Sequence, residues 1–326
     1  MASVSVTNYC RDQWSATREA WNRFWFSPTD PATLGFIRIC AGLLLLRTHA
    51  VWIAHHDAFF GPHAWMTAEA RGAFVDHNPW AWSHLLWFDS PAVLWSLHIV
   101  ALLAMAMLTV GLLTRAAAIA AFLFTVSYAN RAAGSTFGLD DVNAMLALYL
   151  MIGPAGAAYS LDGLIRRWRK RPPQAPTSVS ANVAIRLIQL HMCVIYFFAA
   201  IGKLLGPTWW EGTAMWGSIA NYEYQTIDVT FLARWPLVLN FLTHVTPFWE
   251  LSYCALVWLP RWRPWVILLA VPVHLGISAC MGMVEFGLAM LIGNAAFISP
   301  WIIRKVIPGA GGFQRKDAKA QRRKGR

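Results

Sequence analysis

Apolar residues recur along this chain in runs of roughly 20, separated by short polar or basic segments, and a helix needs about that length to cross the hydrocarbon core of a bilayer. The runs lie near 31–54, 91–112, 116–133, 139–159, 183–204, 237–259, 264–282 and 285–303. The third, seventh and eighth are short and closely spaced, so the pattern predicts about eight spans, within a range of roughly seven to nine. The expected fold class is all-α: a polytopic integral membrane helical bundle over 31–303. An interfacial or cytoplasmic arm over 1–30 precedes it, and a basic cytoplasmic tail over 304–326, expected to be disordered, follows. Two long segments, near 55–90 and 205–236, are rich in tryptophan and are expected to lie across the outer membrane surface as short helices.

The fifth run carries a polar stripe. Asn182, Gln189, Tyr196 and Lys203 are spaced by seven residues. At 100° per residue a step of seven falls about 20° short of two turns, so the four share one helix face. Arg186 lies close to the stripe, while Leu187, Val194, Phe198, Ile201 and Leu205 occupy the other side. A stripe of this kind belongs against neighbouring helices or a cavity rather than lipid.

Charge placement sets the orientation. "RRWRKR" at 166–171, Arg115, Arg261 and Arg263 fall on one side, together with the N-terminal arm and the tail. The other side holds mostly acids, among them Asp57, Asp89, Glu211, Glu223 and Asp228. The excess of basic residues in cytoplasmic loops then puts both termini in the cytoplasm and the chain in the inner cell membrane.

Composition agrees. The chain of 326 residues is 57% hydrophobic and 13% charged, with 19 tryptophans, whereas soluble proteins are about 25% charged. The net charge of +11 would suit a nucleic-acid partner, but its location in short loops and the tail suits anionic lipid headgroups instead, so no nucleic-acid binding is expected. None of Cys10, Cys40, Cys193, Cys254 and Cys280 forms a CxxC pair, and four lie in apolar runs, as small core residues. The outer histidines are loosely spaced, and no metal site is expected. Phosphate-loop, dinucleotide, zinc-protease and serine-hydrolase motifs are missing, as is any internal repeat. The N-terminus lacks the apolar core of a cleavable leader.

Ionisable groups at membrane depth cost about 2.5–3.5 kcal/mol each on insertion scales and mark protein-facing or wet positions. Lys203 allows two readings. Its ammonium snorkels to the headgroups, or it turns inward, where desolvation favours the neutral amine and a general base results. Tyr196, two turns below, is expected to wall the pocket. His274 follows Pro272, and Glu250 follows Pro247; proline inside a membrane helix frees a backbone carbonyl and often marks a kink beside a cavity. Arg38 is expected to anchor a carboxylate or carbonyl between helices. Asp140, Asp141 and Asn143 open the fourth run, where acids suit the helix dipole and share the membrane level of Lys203. Trp209 follows closely in "GPTWWEG".

"FWFSPTDPATLGFIRICAGLLLL", "YSLDGL", "IQLHMCVIYFFAAIGKLLGPTWWEGTAMW" and "PVHLGISACMGMVEFGLAMLIGNAAFISP" resemble the HTTM family. These are bacterial membrane proteins related to the membrane part of vitamin K-dependent γ-carboxylase, and the resemblance runs over about residues 20–303. It implies that Lys203 is the base that deprotonates a reduced quinone of the vitamin K kind, and that His274 stands at the histidine of the later His-Leu segment. A second family lysine is Gly202 here, and a family histidine is replaced by Asp140 or Asp141. The carboxylase carries a long extracytoplasmic region for protein substrates where this chain has its basic tail. The resemblance therefore implies the bundle and a quinol-like pocket ahead of glutamate carboxylation.

The expected function is a quinol-dependent membrane enzyme. Lys203, His274, Glu250 and Asp141 are its catalytic candidates, and Arg38, Gln189, Tyr196, Asn143 and Trp209 line the pocket. The alternatives are a transporter or a lipid- or quinone-binding protein without covalent chemistry, and a scaffold acting through its tail. The oligomeric state is open.

Overall fold

The computed structural model describes residues 6–75, 81–172 and 174–308; Asp76, His77, Trp80 and the tail from 309 onward lie outside them. Every named element among the described residues is helical. The main helices are α1 (Val6–Phe26), α2 (Ala32–Val51), α3 (Pro91–Val110), α4 (Thr114–Arg131), α5 (Gly138–Ile152), α6 (Leu161–Trp168), α7 (Val179–Leu204), α8 (Pro236–Leu256), α9 (Arg263–Met281), α10 (Val284–Asn294) and α11 (Pro300–Val306). Short helical turns occur in both tryptophan-rich segments, including His56–Phe60, Pro207–Trp210 and Ala214–Ile219.

Helices occupy all eight expected runs, but they differ as membrane spans. Four segments are long and apolar enough to cross: Ala32–Phe60, Pro91–Val110, Val179–Leu204 and Arg263–Met281. A fifth candidate is the pair Val284–Phe297 and Pro300–Val306, bent by 115° as a broken span or a re-entrant loop. The others fall short for readable reasons. α5 has 15 residues, about 22 Å against a core of about 30 Å. α4 has arginine near both ends, at Arg115 and Arg131, and α8 includes Asn240, His244 and Glu250.

The distribution of polarity is that of a lipid-facing bundle. Ile99, Leu103, Phe198, Phe241 and Leu268 are all more than half exposed, whereas Arg38, His98, Glu250, His274 and Asn294 are buried. Water would favour the reverse arrangement. Val194, Phe198 and Leu205 point outward from α7 as the stripe predicts, and Asn182, Gln189 and Tyr196 point in. Two cores share α2. One lies among α2, α5, α7, α8, α9 and α10; the other lies among α2, α3 and α4.

Local chemistry fixes the helix ends. α3 has Pro91 in its first turn and Gly111 just past its end, at φ +71. Proline suits the first turn and glycine the left-handed C-terminal position. Gly111 is needed twice over, because a Cβ there would also collide with the Arg38 guanidinium. Ser160 Oγ accepts from Gly163 N–H at 3.1 Å to start α6, and Ser178 Oγ accepts from Ala181 N–H at 3.3 Å to start α7. α1 packs on α7 and is tied by Asn182 Nδ2, which donates to the carbonyls of Phe24 and Trp25 at 2.7 and 2.9 Å.

Candidate functional site

α7 packs against α8, and Tyr196 on its C-terminal half meets His274 of α9 and Asn294 of α10. Near the end of α7, Lys203 Nζ lies 2.9 Å from Glu250 Oε1 and 2.8 Å from Oε2, and only Oε1 accepts in hydrogen-bond geometry. The lysine side chain is 24% exposed and the glutamate 9%. Trp209 covers the ammonium, with its ring centroid 5.5 Å from Nζ. Lys203 is therefore neither free in the headgroups nor an unpaired buried amine; it is a partly enclosed ion pair under an aromatic lid.

Deeper in the bundle, Tyr196 is 1% exposed and joins a four-residue network. Asn294 Nδ2 donates to the Met290 carbonyl and to Tyr196 Oη, both at 2.9 Å, and Asn294 Oδ1 accepts from Tyr253 Oη at 2.8 Å. These bonds fix which end of the amide is which. The Tyr196 proton is then left for His274 Nε2, 2.7 Å away. That arrangement requires the His274 tautomer protonated on Nδ1, and this buried Nδ1 has no hydrogen-bond partner among the described residues. Trp249 Nε1 is likewise buried without a partner, and its ring packs edge-on against Tyr196 at 5.3 Å between centroids. Lys203 and His274 are close enough to interact electrostatically, as are Glu250 and Tyr196.

Of the residues singled out by sequence, Lys203, Glu250, Trp209, Tyr196 and His274 thus come together. Gln189 belongs to the same face of α7 but is a strut: its Nε2 donates to the Ala296 carbonyl at 2.8 Å, and its Oε1 accepts from Arg186 at 2.9 Å. Arg38 does anchor carbonyls, those of Leu108, Thr109 and Tyr159, at 2.9, 3.1 and 2.6 Å. It sits at the far end of the bundle from Lys203. Asp141 is exposed on α5 and its electrostatic neighbour is His191, while Asp140 accepts from Phe137 N–H at 3.0 Å, as a helix-start acid does. Asn143 is buried with Oδ1 unpartnered, and it makes no hydrogen bond to the Lys203 group among the described residues.

Sequence reasoning missed Asn294, Tyr253 and Trp249. A signal was present for two of them. Asn294 is the one amide inside "LAMLIGNAAF", and Tyr253 follows Glu250 by three residues on the same helix face. No cluster of three or more metal-ligating side chains is found among the described residues.

Compared with known protein families, residues 26–301 match the HTTM domain. No curated protein and no solved structure matches the chain.

Proposed function

That match covers most of the chain, so the chain belongs to the HTTM family, and from this premise we propose that it is a multi-pass inner-membrane protein that handles a reduced quinone through the Lys203–Glu250 and Tyr196–His274 groups. In this reading about eight helices cross or enter the membrane, with both termini cytoplasmic. The observation that carries it is the convergence of an enclosed lysine–carboxylate pair with a buried tyrosine–histidine pair on the polar face of α7.

The residues fit such a group. His274 Nδ1 and Trp249 Nε1 are buried nitrogens without partners, flanking an aromatic wall of Tyr196 and Tyr253. Donors of this kind suit ring oxygens on an apolar ring. Lys203, Trp209, Trp249 and His274 are the side chains that would hold it. When bound, a reduced quinone supplies an ionisable hydroxyl and a pair of reducing equivalents.

The chain's own part is proton handling. In a low-dielectric site an ion pair is costly, and moving the Nζ proton to Glu250 Oε1 neutralises both groups at once. Nζ then presents a lone pair as a general base, and Glu250 holds the proton 2.9 Å away. Tyr196, held by Asn294, fixes the His274 tautomer and leaves Nδ1–H as an unpaired donor among the described residues. Arginine at position 203 would keep the ion pair but would not release its proton.

A second reading draws on the ion pair itself: Glu250 already neutralises Lys203 without any ligand. On that reading the protein binds or moves a lipid or quinone without covalent chemistry, and Lys203→Arg is tolerated.

Protein purified in mild detergent is extracted and its quinone content measured by redox difference spectra. Quinone is expected with the wild type and at least about tenfold less with Lys203→Met or His274→Leu. No quinone from the wild type, or equal recovery from all three, sinks the proposal.

A further inference from the structure

α6 has an arrangement that the Lys203 chemistry does not use. Leu161, Leu164, Ile165 and Trp168 fall at i, i+3, i+4 and i+7, which is one helix face. Leu164 is 52% exposed and Trp168 81%. The first turn of the helix is clamped to the bundle. Asp162 Oδ1 accepts from Leu113 N–H at 2.9 Å, and Oδ2 accepts from Thr114 N–H and Oγ1 at 2.8 and 2.7 Å. Leu164 and Trp168 are thus held outward, while Ile165 turns toward the cavity beside the helix.

Beside α6, between the start of α4 and the end of α5, lies a cavity of about 580 Å³ lined by Arg115, Arg166, Arg169 and Arg171. Its one carboxylate, Asp162, already has both oxygens engaged. Arg115 gives one bond to the Ile152 carbonyl at 3.2 Å. No carboxylate stands within ion-pair distance of Arg166, Arg169 or Arg171 among the described residues. Four guanidinium groups around one committed carboxylate make a site for a multiply charged anion, and the planar fork of arginine matches phosphate oxygens in pairs.

We propose that this cavity binds the headgroup phosphate of an anionic phospholipid, with α6 lying in the membrane interface and Leu164 and Trp168 reaching the acyl region. The apolar stripe selects the lipid over a free phosphate compound, which would leave both side chains in water. The site is independent of the Lys203 reading and stands or falls separately.

Full-length protein is reconstituted into phosphatidylcholine nanodiscs containing a minor fraction of phosphatidylglycerol or cardiolipin, and lipid retained after transfer to detergent is counted by native mass spectrometry. The wild type is expected to retain anionic phospholipid over phosphatidylcholine. Arg166→Gln/Arg169→Gln is expected to weaken retention about thirtyfold. Arg11→Gln/Arg18→Gln, with the same loss of charge on α1, is expected to change it less than about twofold. Inorganic pyrophosphate is added as the soluble competitor. Equal retention by the wild type and the α6 variant overturns the proposal, as does displacement by pyrophosphate at concentrations equal to the lipid. If the α6 variant does not fold, the wild type alone decides: no preference for anionic lipid over phosphatidylcholine refutes the site.

Discussion

Removing Lys203 should destabilise the bundle more than removing the charge of its partner. Lys203→Met leaves the Glu250 carboxylate, 9% exposed, without its cation. Breaking a buried pair in this way costs about 3–5 kcal/mol. Glu250→Gln leaves an ammonium that is 24% exposed and lies against Trp209. That ammonium is near the end of α7 and reaches water by a change of rotamer, so the cost falls to about 1–2 kcal/mol. Lys203→Met/Glu250→Gln removes both charges, and its cost should undershoot the sum of the single costs by about 2 kcal/mol, the coupling of the pair. The assay is reversible unfolding in mixed dodecyl maltoside and dodecyl sulfate micelles at neutral pH, repeated at high salt. An enclosed pair is screened little, so the coupling should survive added salt. If Lys203→Met costs no more than Glu250→Gln, or the coupling vanishes in salt, the pair is a surface contact and the enclosure argument fails.

Two further outcomes follow from the hydrogen bonds. Tyr196→Phe strands His274 Nε2 and one N–H of Asn294 in a dry core, at about 2–4 kcal/mol in the same assay, whereas Tyr149→Phe, which breaks the part-exposed 3.0 Å bond to His191, should cost about 1 kcal/mol or less; equal costs would mean the Tyr196 network is not buried. For Asp162, partial burial raises the carboxyl, but donation from Thr114 and Leu113 and the charge of Arg38 outweigh it and hold the group below its ordinary value. A depressed carboxyl contributes stability above the unfolded value, lost as pH falls through the folded one. The melting-temperature gap between wild type and Asp162→Asn should therefore be constant at neutral pH and close only below about pH 4; a gap that closes between neutrality and about pH 5 would contradict this.

The apolar runs located the helices because burial in lipid requires long apolar stretches whatever the tertiary packing. The seven-residue stripe on α7 was legible for the same kind of reason: period alone puts Asn182, Gln189, Tyr196 and Lys203 on one face. Partners were not legible. Lys203 and Glu250 are 47 positions apart, and Tyr196 and Asn294 are 98 apart, so only helix packing decides that they meet. Asp141 failed to join for a local reason, since its position on α5 turns it outward while Asp140 takes the capping role. The 115° break after α10 was readable in part, since Ser299 and Pro300 mark a new helix start, but apolar residues on both sides let the two helices read as one run.

The Arg38 clasp has a consequence for how the chain is made. Its guanidinium enters the bilayer with α2, yet its acceptors at Leu108 and Tyr159 lie 70 and 121 positions further on. At roughly 5–20 residues per second, the last acceptor leaves the ribosome about 6–24 s later. Until Leu108 and Thr109 follow, α2 holds a cation with none of these carbonyls to receive it, and until Tyr159 the clasp stays incomplete. Completion of the clasp therefore waits on translation of the middle of the protein.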